Sequence, residues 1–193
     1  ALAERIARAL GDALVAPVVA YVPEGALDPP TGHMRFPGTI TVPDDVFRRS
    51  LQWAARSLRR AGFLDVVFLG DHGSTQAGAR AVAAALNREW AATPGRAHAV
   101  EEYYRAATAG FRELLRARGF RPGELGEHAG LPDTSLTLAV APRLVRPAPE
   151  GAPGPGSGAD GDWRRASAEL GRLGVDLVVA RSVDAIRTSI TRR

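Results

Sequence analysis

Cysteine and lysine are both absent from these 193 residues. Without cysteine there is no disulfide, no thiolate metal site and no thiol nucleophile. Without lysine there is no phosphate-binding loop of the glycine-rich, lysine-terminated kind. Long apolar runs are missing too. None approaches the roughly 20 residues that span a bilayer, so the sequence points to no membrane partner. The first residues also lack the charged-then-apolar order of a secretory leader. No G-x-S-x-G elbow surrounds any serine, which argues against a serine hydrolase.

All 25 basic residues are therefore arginine, set against 21 acidic ones for a net charge of +4. The arginines are dispersed, with adjacent pairs at Arg48/Arg49, Arg59/Arg60, Arg164/Arg165 and Arg192/Arg193. A nucleic-acid surface would concentrate them into a stripe with interleaved aromatics, so no nucleic-acid partner is expected. Hydrophobic residues make up 45% and aromatics 6%. That is a globular balance, and the length suits a single domain over 1–193 with a core of small side chains.

Along the chain, 1–11 reads as an amphipathic helix with Leu2, Ile6 and Leu10 on one face. It opens without an N-cap, and a first strand is expected upstream of it. Leu14–Val22 is a short apolar, β-branched run, expected to be a buried strand. Residues 23–43 are rich in proline and glycine, and such long loops within compact domains are usually functional. Asp44–Ala61 has helical spacing, Phe63–Gly70 is a second strand, and Thr75–Ala91 is helical again. Ala97–Tyr103 is a candidate third strand, followed by a helix to Arg118. Asp133-Thr134-Ser135 reads as an N-cap opening a helix over Ser135–Val140. The low-complexity stretch 147–161 is expected to be flexible. Asp162–Thr191 is mostly helical, with Val175–Ala180 open to either reading. Strands alternating with helices argue for an α/β domain with a largely parallel sheet.

Four histidines are available for chemistry: His33, His72, His98 and His128. His72 follows the tip of the Phe63–Gly70 strand, where ligands bind in open α/β sheets. An imidazole there suits a divalent metal. Asp71 beside it is either a second ligand, a partner fixing the imidazole tautomer, or a cap for the next helix. Glu127-His128, between glycines, pairs a carboxylate with an acid or base. His33 lies in a glycine-bounded loop, where the plain alternative is an imidazole bonded to a backbone carbonyl. His98 reads as structural, and Asp133 as a helix cap before a catalyst.

Three segments, in order, resemble the creatininase (creatinine amidohydrolase) family. His33-Met34-Arg35-Phe36-Pro37-Gly38-Thr39-Ile40 is similar to its H-x-x-F-P-G-T-I. Gly70-Asp71-His72-Gly73-Ser74-Thr75 is similar to its strand followed by N-G-H-G-G-N. His128-Ala129-Gly130-Leu131-Pro132-Asp133-Thr134-Ser135 resembles its H-A-G-x-x-E-T-S, and Leu138, Pro142 and Val145 fit the tail that follows.

The resemblance implies a three-layer α/β/α sandwich with a mostly parallel sheet, often a homohexamer. It also implies a two-metal centre of zinc or manganese. Members hydrolyse C–N bonds of small cyclic amides or formamides through a metal-activated water. Carried over by position, His72 and Asp71 would hold metal, and His128 would protonate the departing nitrogen with Glu127 beside it. His33, Ser74 and Asp133 would face the substrate.

The family's first motif, E-x-H-G-x-H with an aspartate beyond it, is not in this chain, and Ser74 stands where creatininase itself has glutamate. Creatinine is accordingly not the expected substrate. The alternative reading is a non-catalytic binding or scaffold protein that kept the fold and lost metal ligands.

Overall fold

Asp44 and Asp45 open a helix and Arg59 and Arg60 close it, each pair at the end where the helix dipole favours its charge. In the computed structural model, which describes residues 1–146 and 158–191, this is the second of eight α-helices among the described residues. In order they are α1 Leu2–Leu10, α2 Asp44–Arg60, α3 Gly73–Glu89 and α4 Glu102–Arg105. Then come α5 Phe111–Ala117, α6 Pro122–Leu125, α7 Leu131–Val140 and α8 Ala168–Thr191. A π-helical turn, Ala106–Gly110, joins α4 to α5. The strands are β1 Asp65–Phe68 and β2 Arg96–Ala99, and they pair in parallel with Asp65 opposite Arg96 and Phe68 opposite Ala99. The α/β class is as expected, with a sheet of two strands among the described residues.

The chain divides into two compact units. One comprises 1–15 and 105–183, the other 16–104 and 184–193. The second unit packs α2 and α3 with the sheet. Phe47, Leu51 and Ala55 recur at four-residue spacing, so they line one face of α2. They meet Ala79, Val82, Ala83 and Leu86 of α3 and Val66 and Ala97 of the strands. Gly78 lets the helices approach, because a Cβ there would lie 3.1 Å from the Phe47 ring. The free edge of β2 is closed by Asn87, whose amide donates to the Ala97 carbonyl at 2.9 Å and accepts from the Ala97 N–H at 2.7 Å.

His98 is built into this unit as the sequence suggested. One ring nitrogen lies 2.9 Å from Asp65 Oδ1 and the other 2.7 Å from Ser189 Oγ, so both are satisfied. The first unit has its own apolar cluster of Phe111, Leu115, Leu125 and Leu131, flanked by Leu136, Leu170 and Leu177. Val175–Ala180, ambiguous by pattern, is helical within α8.

The Leu14–Val22 expectation is corrected. These residues form no strand, and Leu14 and Val18 are 79% and 86% exposed. Apolar, β-branched composition favours a pleated surface only where a partner edge exists. The Val42 N–H donates to the Val22 carbonyl at 3.3 Å. Two helix starts also move. α3 begins at Gly73, before Thr75, and α7 at Leu131, with Pro132 tolerated in the first turn where its missing N–H costs nothing. Of the stretch read as flexible, 147–157 lie outside the described residues, and Asp160 is hydrogen-bonded to ordered backbone.

Candidate metal centre

Residues 23–41 form a loop that closes on itself through its polar side chains. Thr41 Oγ1 accepts from the Glu24 N–H at 2.9 Å, and Thr31 Oγ1 from the Ala26 N–H at 2.8 Å. The Thr39 hydroxyl donates to the His33 carbonyl at 2.9 Å, and the His33 N–H donates to the Glu24 carbonyl, also at 2.9 Å. Gly25 and Gly32 have φ of +138° and +54°, and a Cβ on either would strike backbone, at 2.1 Å from Thr31 O and 2.6 Å from Glu24 O. Only glycine allows both the turn and the close approach. The result brings Glu24 and His33, nine residues apart, side by side.

His72 arrives from β1. The chain passes Phe68, turns through Gly70 and Asp71, and enters α3 immediately after His72. The Thr75 hydroxyl donates to the His72 carbonyl at 2.7 Å, and the Gln76 amide donates to the carbonyls of Gly70 and His72, each at 3.0 Å. A side chain at Gly70 would collide with both groups, at 2.6 and 2.8 Å. The position of His72 is thus set by polar contacts on either side of it.

The two imidazoles converge on one carboxylate oxygen. His33 Nδ1 lies 2.8 Å and His72 Nε2 3.0 Å from Glu24 Oε2, with the ring centroids 5.0 Å apart. One ligand atom from each of Glu24, His33 and His72 lies within 4.8 Å of the others. Atoms bound to one zinc at about 2.0–2.2 Å stand roughly 3.4 Å apart at the tetrahedral angle, so modest side-chain rotation brings this set onto an ion. Two imidazoles and a carboxylate are a donor set for zinc or manganese. All three residues are partly exposed, Glu24 least.

The structure brings two of the sequence-derived site residues, His72 and His33, into this cluster. The ring of His33, read as a substrate contact or as bonded to a carbonyl, meets Glu24. Glu24 was not singled out, and the only signal for it was the unusual length of its loop. Asp71 faces Tyr103. Burial first, then the Asp71 charge and its hydrogen bond, push the Tyr103 phenol well above its usual range, so Tyr103 remains a neutral donor to Asp71. The cap of α3 is His72, not Asp71. The Ser74 hydroxyl donates to the Pro23 carbonyl at 2.6 Å, one residue from Glu24.

Glu127, His128 and Asp133 belong to the first unit. The Glu127 carboxylate is largely exposed, 4.0 Å from Arg112. Asp133 does not cap α7, which is capped at Gly130. It is in the first turn, and its carboxylate reaches back to the Ala129 N–H at 3.0 Å. Burial is the main influence on Asp133 and raises its pKa, opposed by the Ala129 N–H and by the charges of Arg112 and His128.

The fold and the cluster define an α/β protein with a candidate divalent-metal centre beyond a strand end. This chain belongs to the creatininase family, whose profile, described as creatinine amidohydrolase, matches residues 1–186. No curated protein matches it. Solved structures with this fold include a single-site variant of creatininase, 24% identical with a TM-score of 0.75. A Zn-Zn type creatininase variant is 23% identical and a structure titled creatininase Mn 22%, both with TM-scores of 0.73. Each of the three alignments covers 98% of this chain and 80% of the other.

Proposed function

We propose that this chain is a metal-dependent hydrolase of a non-peptide C–N bond in a small cyclic amide or formamide. The observation that carries this is the Glu24, His33 and His72 cluster, in a chain of the creatininase family. Zinc or manganese fits the donor set, and the similar structures include a Zn-Zn type creatininase and a manganese creatininase. A divalent ion held there supplies Lewis acidity, polarising a carbonyl and lowering the pKa of water.

The chain's own residues set up the rest. Glu24 and the imidazoles of His33 and His72 hold the ion. Ser74, through the Pro23 carbonyl, and Thr41, through the Glu24 N–H, fix the backbone that carries the Glu24 carboxylate. Asp71, the residue before His72, is anchored by Tyr103. His128 is assigned, through its family motif, the protonation of the departing nitrogen, with Glu127 next to it. Asp133 orders the segment that carries them by accepting the Ala129 N–H.

Homo-oligomerisation belongs to the same reading. Its support is membership of the creatininase family.

The test is metal content by plasma mass spectrometry on the purified chain and on His72→Ala, followed by hydrolysis assays on cyclic amides and formamides. Near-stoichiometric zinc or manganese that His72→Ala removes, with metal-dependent turnover, is the expected outcome. Equal metal content in both proteins would end this reading.

A further inference from the structure

The segment Gly126–Gly130 joins α6 to α7 without regular structure, so its backbone donors need partners from elsewhere. Asp160 supplies them. Its Oδ1 accepts from the Glu127 N–H at 2.6 Å and from the His128 N–H at 2.7 Å. Its own N–H donates to the His128 carbonyl at 2.9 Å, and two residues on the Asp162 N–H donates to the Glu124 carbonyl at 2.8 Å. Both the N–H and the carbonyl of His128 are therefore bonded to one residue, and the two bonds that reach its carboxylate, from the Glu127 and His128 N–H groups, are strengthened by the charge.

Three glycines lock the two segments together. A Cβ on Gly126 would lie 2.3 Å from Asp160 O, and one on Gly161 2.6 Å from Gly126 N. One on Gly130 would lie 2.3 Å from Leu125 O and 2.7 Å from Asp160 O. Backbone meets backbone here, leaving neither segment room to slide. On the far side of His128, Ala129 is held at φ 49°. The Asp133 carboxylate accepts its N–H, and its carbonyl accepts from the Thr134 hydroxyl at 3.0 Å. Left-handed backbone at a residue with a side chain is costly and persists only where neighbours impose it.

We propose that Asp160 is a positioning residue: it holds the Glu127–His128 backbone so that the His128 imidazole projects in one direction. This rests on the reading above that His128 protonates the departing nitrogen. Asp160 bonds that backbone, its charge also acts on Asp133, and it is not a member of the apolar cluster of this unit. Loss of its carboxylate should free the segment while leaving Phe111, Leu115, Leu125 and Leu131 packed.

The experiment compares the metal-loaded full chain with Asp160→Ala, Asp160→Asn and His128→Ala. Amide hydrogen exchange at Glu127 and His128, and NMR order of the His128 ring, are measured first. Turnover of creatinine and of formamide follows as a probe. In Asp160→Ala the two amides should exchange at least about tenfold faster, with α7 amides unchanged and the ring disordered. Asp160→Asn keeps an acceptor oxygen and should restore much of the protection. On any probe that is hydrolysed, Asp160→Ala should lower kcat by about 10- to 100-fold with KM within about threefold, the cost expected of a misplaced catalytic group.

Unchanged exchange and ring order in Asp160→Ala would overturn the proposal, with or without turnover. So would an unchanged kcat on a probe for which His128→Ala is inactive. If His128→Ala keeps full activity while Asp160→Ala disorders the ring, it is the assignment of His128 that fails.

Discussion

Two sites in one unit set imidazole against carboxylate, and they differ in what is left over. At His98 both ring nitrogens are bound, one by Asp65 and one by Ser189, and the side chain is 7% exposed. At Glu24, two imidazoles share a single oxygen, and His33 and His72 are 36% and 29% exposed. The first arrangement has used up its bonding capacity on stability. The second gathers three donors on one point that solvent can reach, which is what an ion requires. Residue type alone does not separate a structural histidine from a ligand. Saturation and access do.

The largest expected effect tests this division directly. Glu24→Ala or His72→Ala should weaken zinc binding by about 100-fold or more, since removing even a group that merely orients a ligand costs up to about 100-fold. Titration calorimetry on the apo protein measures it. His98→Ala should do the opposite. It leaves Asp65 and Ser189 without their partner and a void behind, for a loss of about 3 kcal/mol in urea unfolding, while metal content stays at the wild-type level. If His98→Ala removed the metal, the two sites would not be separate in kind.

Smaller effects should arise in the loop that presents Glu24. Gly25→Ala forces a Cβ to 2.1 Å from Thr31 O at a φ of +138°, which should cost about 1–3 kcal/mol in the same unfolding assay and lower zinc affinity. Ser74→Ala removes one hydrogen bond, to the Pro23 carbonyl, worth about 1 kcal/mol. Its effect on zinc affinity should stay within about fivefold.

The smallest lies in the other unit. The Arg121 N–H, then the Arg121 and Arg165 side chains, hold the Glu124 carboxyl at about 2, below its usual 4.5. A lowered folded-state pKa gives stability that is complete above pH 4.5 and lost as pH falls toward 2. Glu124→Gln should flatten that part of an acid-unfolding curve, and an unchanged curve would show that the contact contributes nothing.

Much of this was legible beforehand where spacing carries the information. The helical spacing of α2, the βα turn ending at His72 and the structural reading of His98 all follow from period and position. Leu14–Val22 was misread because composition reports a preference for a pleated surface and not the existence of a neighbouring strand. Asp133 was misread by one turn because glycine at 130 and proline at 132 open the helix earlier than the Asp-Thr-Ser run suggests. Glu24 was passed over because an acidic residue in a proline- and glycine-rich loop has no periodic signature. Its role comes from the path of the loop, which the positive-φ glycines Gly25 and Gly32 determine.

By itself the sequence excluded thiol and lysine chemistry, placed His72 at a strand end and, through three short motifs, identified the family. Those are properties of residue identity and near-neighbour order, which physics reads locally. That Glu24 and His33 meet His72, and that Asp160 holds His128, was decided only in three dimensions. Each joins segments separated by proline, glycine or an intervening helix. Such contacts depend on how backbone donors find acceptors once the chain has collapsed, and no local pattern records that choice.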